Sequence, residues 1–145
     1  MNLHTIARQL PLRLAAGSYV LNSGLSKWNA DEVTAKQLQD FAVGTYPFLA
    51  KLDPRTFAKL LAAGELALGA AVLVLPGALA GAGLAAFSAG LIGLYLRTPG
   101  MRQEGSVRPT EQGIPLAKDI WLLGIGTSLV VDDLVAKNRT EGKRS

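Results

Sequence analysis

KLLAAGELALGAAVLVLPGALAGAGLAAFSAGLIGLYLR, residues 59–97, decides the fold. Between Lys59 and Arg97 lie 37 residues, and Glu65 alone among them is charged. As one helix the block would reach roughly 55 Å, well beyond a bilayer hydrocarbon core of about 30 Å. Pro76 cannot continue a helix comfortably and Gly77 permits a turn, so the block divides there. Two helices near 57–75 and 78–96 are expected, joined in a tight hairpin with no charge in its loop. Glu65 then raises the question of solvent. An unpaired ionised carboxylate is not tolerated in an apolar core, and within a bilayer such a residue faces protein or water rather than lipid.

Two further spans complete the reading outward from this block. Residues 114–133 begin with Pro115, which suits a helix N-terminus, and run uncharged from Ile120 to Val131 before Asp132 and Asp133. Residues 10–28 form the fourth span, with Arg13 and Asn22 inside it. A cleaved signal peptide is not expected here, because an A-x-A-like site is missing and Arg13 interrupts the apolar region. Residues 29–56 mix charges with Val33, Leu38, Phe41, Tyr46, Phe48 and Leu49, the pattern of an interfacial helix followed by a re-entrant segment broken at Pro47. Residues 98–113 read as a polar loop and 134–145 as a polar tail. The expectation is an all-α integral membrane four-helix bundle in a single domain, 1–145.

Composition removes several kinds of chemistry. The chain has no cysteine and one histidine, His4, which excludes disulfides, Cys-ligated iron–sulfur clusters, bis-histidine haem and His-rich zinc sites. The net charge is +4, and its densest basic run is the terminal AKNRTEGKRS. Without an aromatic or glycine-rich nucleic-acid motif beside it, that run reads as a solvated anchor, and no nucleic-acid partner is expected. Trp28, Trp121, Tyr46 and Tyr95 fall near span ends, as interfacial anchors do.

Four antiparallel spans sort the charges into two levels. Lys27, Glu65, Lys118 and Asp119 share one half of the bundle, while Arg13 shares the other with Asp132 and Asp133. At 100° per residue, Arg13, Gly17, Val20, Gly24 and Lys27 fall within an arc of roughly 80°, so two glycines lie on the charged face and let another helix approach. Gly69 sits one turn after Glu65, and Gly126 shares a face with Asp119. The charges therefore point inward, and Glu65 is expected to pair with Lys27 or Lys118. Such a cluster can act as packing glue, as a pocket for an anionic or quinone-like molecule or for protons, or as a surface for partner subunits.

RLAAGSYVLNSGLSKW (Arg13, Gly17, Gly24, Lys27), GELALG (Gly64, Glu65, Gly69) and AKDIWLLG (Lys118, Asp119, Gly124) occur in this order. Together they resemble the motifs of the DoxX-like family across about residues 9–131. That resemblance implies a small four-helix protein of a bacterial inner membrane, associated with membrane complexes that handle oxidative or sulfur stress. The function expected is a non-catalytic subunit or anchor of a redox or respiratory assembly. The alternatives are a quinone-binding oxidoreductase component and a small-solute or proton pathway. The partners implied are the lipid bilayer, other membrane or redox proteins, and a second copy of the chain. No metal, cofactor or catalytic residue is expected, with a quinone or a lipid among the molecules the site could admit.

Overall fold

The computed structural model describes residues 3–141, and among these the named elements are all helical. They are α1 (Leu3–Trp28), α2 (Glu32–Val43), a 3₁₀ turn (Pro47–Lys51), α3 (Pro54–Val74), α4 (Gly77–Arg97), α5 (Ile114–Ala117) and α6 (Ile120–Glu141). Three segments are long and apolar enough to cross a membrane: Pro54–Val74, Gly77–Arg97 and Ile114–Arg139. Helix α1 has the length, but Arg8, Gln9, Arg13, Asn22 and Lys27 make it more polar.

Local signals account for most boundaries. Asp53 caps α3 by accepting from Thr56 N at 3.1 Å, and Pro54 fills the first turn, where its missing N–H leaves no bond unmade. Pro76 ends α3 and Gly77 opens α4, within a residue or two of expectation. Asp31 caps α2 through Thr34 N at 2.8 Å, and hydrogen bonds from the Thr34 side chain and backbone hold its carboxyl below the usual range. Helix α2 buries Ala35, Gln39 and Ala42, and Gln39 Nε2 donates to Leu49 O at 3.0 Å and Leu52 O at 2.7 Å. The amide thus folds the 3₁₀ turn back onto α2.

Three boundaries differ from expectation. Helix α1 starts at Leu3 rather than near residue 10 and runs through Pro11, because its first turns bury Thr5 and Gln9. Helix α6 continues to Glu141, so most of the supposed tail is helix, and 142–145 lie outside the described residues. The span expected as one helix over 114–133 is interrupted at Lys118–Asp119. There Asp119 N donates to Leu116 O at 3.0 Å and Trp121 N to Lys118 O at 3.1 Å, each three residues back rather than four. That tightening shifts the helical phase.

The closest pairings are α1 with α3 and α4 with α6; the hairpin neighbours α3 and α4 touch much less. Both close pairs cross at glycines. A Cβ on Gly24 would lie 2.9 Å from Ala62 O, and one on Gly69 would lie 2.8 Å from Leu21 N and 2.9 Å from Gly17 O. In the other pair, a Cβ on Gly126 would lie 2.7 Å from Gly81 O, and one on Gly81 would collide with Gly126 O. Backbone therefore meets backbone in both crossings. Between the pairs sits an apolar core of Ala16, Val20, Val72, Ala80, Leu84, Leu122 and Leu129.

The exterior inverts the usual arrangement. At most 33% of each of the three apolar windows is buried, and Leu60, Leu79, Ile120, Trp121 and Val131 are exposed. Gln9, Arg13, Glu65 and Asp119 are buried instead. Apolar side chains outside and charges inside suit a lipid surround rather than water.

Overpacking at a crossing gives a direct check. Gly81→Ala and Gly126→Ala should each lower unfolding stability in detergent by about 1–3 kcal/mol. Gly64→Ala and Gly124→Ala, where an added Cβ meets nothing within 4 Å, should be neutral or slightly stabilising. Equal losses at all four positions would contradict the crossings.

Candidate functional site

Glu65 sits on the face of α3 that carries Ala58, Ala62, Gly69 and Val72, all buried, so the helix cannot turn its carboxylate outward without exposing that face. It is 4% exposed. Because Gly24 lets α1 lie against Ala62, Lys27 comes level with it one turn on, and Lys27 Nζ donates to Glu65 Oε2 at 3.0 Å. The same ammonium donates to Ser23 Oγ at 2.6 Å and Ser23 O at 3.2 Å. Of the two lysines weighed as partners, the structure selects Lys27.

Lys118 does not join them. The tightened turn leaves it exposed, beside Tyr19, Pro115 and Trp121 at a separate shallow cavity. Its neighbour Asp119 is rotated inward, is 5% exposed, and has an Oδ1 with no hydrogen-bond partner in the structure. One irregular turn thus separates two adjacent residues that the sequence reading had grouped.

Lys27, Glu65 and Asp119 line one cavity of about 550 Å³. Its other walls are mainly apolar, with Leu61, Phe87, Leu91 and Leu122 from the long helices. Helix α2 and the following turn cover it with Leu38, Phe41, Ala42, Tyr46 and Leu49. The 29–56 segment is therefore a wall of the cavity. Tyr46 holds this cover down: its hydroxyl donates to Gly90 O at 2.8 Å, and the ring fits because Gly93 has no side chain to meet the hydroxyl. Tyr46 is thus a tether between elements. Tyr95 likewise is 7% exposed and donates to Val107 O at 2.6 Å, tying the 98–113 loop to α4. Trp28 and Trp121 are exposed near helix ends, as expected of anchors, and Trp121 packs against Tyr19 with ring centroids 6.2 Å apart.

The second level is organised by Arg13, as expected from the sequence, together with Gln9, which the sequence did not single out. Arg13, 2% exposed, donates through Nη1 to Val72 O at 2.8 Å and Leu75 O at 2.7 Å, the open carbonyls at the end of α3. Its Nε and Nη2 donate to Gln9 Oε1 at 3.0 and 2.8 Å, and Gln9 Nε2 donates to Asp132 Oδ2 at 2.8 Å. Arg13 thus reaches Asp132 through Gln9. Asp132 also pairs with Arg8 at 2.7 Å, and Asp133 accepts from Ala78 N at 3.0 Å, at the N-terminus of α4. A cation at the end of α3 and an anion at the start of α4 complement both helix dipoles and hold the 75–77 turn. These contacts make the level structural.

Ser23, Gln9 and Tyr46 carried only weak signals. Ser23 lies one turn before Lys27 and Gln9 one turn before Arg13, the i,i+4 spacing at which a polar side chain can steer a charged one. Among family models, curated proteins and solved structures, comparison with this chain finds no match.

The Lys27–Glu65 pair can be measured by a double-mutant cycle. Lys27→Met strands a buried carboxylate and should lower stability by about 3–5 kcal/mol, whereas Lys27→Met with Glu65→Leu should recover most of that loss. Additive losses in detergent unfolding would mean that the two groups do not interact.

Proposed function

We propose that this chain is a DoxX-like four-helix protein of a bacterial inner membrane, and that it is a binding subunit rather than an enzyme. In this reading α1 joins the three apolar spans in the bilayer, with its polar side chains turned into the bundle. The cavity holds an apolar molecule that presents a polar head to Lys27, Glu65 and Asp119. One observation carries the proposal: an apolar-walled space of about 550 Å³ with its charged groups gathered on the α1, α3 and α6 side. That combination of apolar walls and a few convergent polar groups is how small-molecule sites are built. Packing glue alone would not require the cavity. The resemblance to DoxX-like motifs supports a place beside membrane redox proteins, with a quinone or a lipid among the molecules admitted.

A second reading keeps the protein as an anchor for partner subunits with nothing bound, and the closed bonding of Lys27 favours it. Its ammonium has three protons and three acceptors within the chain. A proton or solute pathway has less support. Ala16, Val20, Leu84 and Leu122 are buried between the two polar levels, leaving an apolar barrier between Glu65 and Arg13.

Purification from native membranes in mild detergent distinguishes these readings. The wild-type protein should retain a solvent-extractable apolar molecule, detectable by mass spectrometry, which is depleted in Glu65→Gln and in the cavity-filling Ala86→Trp. Co-purifying proteins with identical extracts from wild type and both variants would favour the anchor instead.

A further inference from the structure

The walls of the cavity also define the charge of its occupant, given the binding role proposed above. Two acidic side chains and one basic one line it: Glu65, Asp119 and Lys27. The ammonium is fully engaged, by Glu65 Oε2 and by both oxygens of Ser23. Glu65 is therefore matched within the protein. Asp119 is not: it is 5% exposed, its Oδ1 accepts no hydrogen bond, and the adjacent Lys118 faces a different cavity. A buried carboxyl oxygen without a donor is unfavourable, and a cationic donor is its most effective remedy.

Two further features of the walls agree. The aromatic rings of Tyr19, Phe41, Phe57 and Phe87 line the same space, and aromatic rings attract organic cations, most strongly where water is excluded. An anionic head would instead meet two carboxylates and an ammonium already bonded on all its protons. We propose that the cavity takes a lipophilic organic cation, an apolar body carrying a protonated amine whose N–H donates to the Asp119 carboxylate. Lys27 and Glu65 form the neutral wall beside it.

The test uses the purified full-length protein in micelles of a neutral detergent. N-phenyl-1-naphthylamine, an uncharged apolar fluorophore, reports on the cavity, and decylammonium, decanol and decanoate compete for it. Fluorescence above that of empty micelles, lost in Ala86→Trp, is expected. Its absence would remove the binding role itself, and the proposal with it. With that signal present, decylammonium should displace the fluorophore at concentrations about tenfold below decanol and decanoate, the scale of one charge-assisted hydrogen bond. Asp119→Asn, nearly isosteric, should erase most of that preference while the fluorophore still binds. Equal or better displacement by decanol or decanoate in the wild type would overturn the cationic assignment and leave the binding role standing. A preference unchanged in Asp119→Asn would also overturn it, since the micelle would then be its source. The wild-type ranking needs no variant and decides the matter even if Asp119→Asn fails to fold.

Discussion

The close approach of α1 to α3 is the constraint on which the rest depends. Glu65 can remain ionised in an apolar helix only if a cation reaches it, and Lys27 reaches it only because glycines let the two backbones touch. With Gly17 and Gly24 on α1 facing Gly69 and Ala62 on α3, the charged faces of both helices turn inward together. Burial of the polar groups then leaves Leu60, Val74, Leu79, Leu96 and Val131 of α3, α4 and α6 on the outside. Within lipid, apolar burial supplies little drive for helix association, so packing contacts and internal polar bonds carry more of the work. The two polar levels and the two glycine crossings are those contacts.

The two levels solve different problems. Around Arg13, hydrogen bonds to Val72 O and Leu75 O end on a helix terminus, and those to Gln9 lead on to Asp132. That level closes the α3–α4 turn, where backbone carbonyls would otherwise face an apolar surround. Around Lys27 the bonding is also complete, but it stands beside an open space and beside Asp119, whose Oδ1 has no hydrogen-bond partner. The contrast between a closed polar level and an incomplete one is why the second is read as a site.

Much was legible from local pattern. The division at Pro76–Gly77, the helical character of the four long segments and the inward direction of Arg13, Lys27 and Glu65 follow from run length, breakers and the 100° period, all properties of one helix at a time. Lys118 shows where such reasoning stops. Grouping it with Asp119 assumed an unbroken helix, and a single turn bonded three residues back sends the two side chains to different cavities. Gln9 and Ser23 were passed over because an uncharged polar residue in a helix looks the same whether it faces solvent or an arginine.

The sequence by itself determined that these segments are helical, where the long apolar block divides, and which faces hold charge and glycine. Those features follow from backbone chemistry and hydrophobic spacing within one segment. Tertiary structure alone decided that α1 pairs with α3 and α4 with α6, that Lys27 rather than Lys118 answers Glu65, and that α2 with Tyr46 roofs a cavity. Such outcomes depend on the order and rotation of helices about one another. Spacing along a single chain carries no record of either, because many rotations bury comparable apolar area and only the backbone fit at Gly24, Gly69, Gly81 and Gly126 chooses among them.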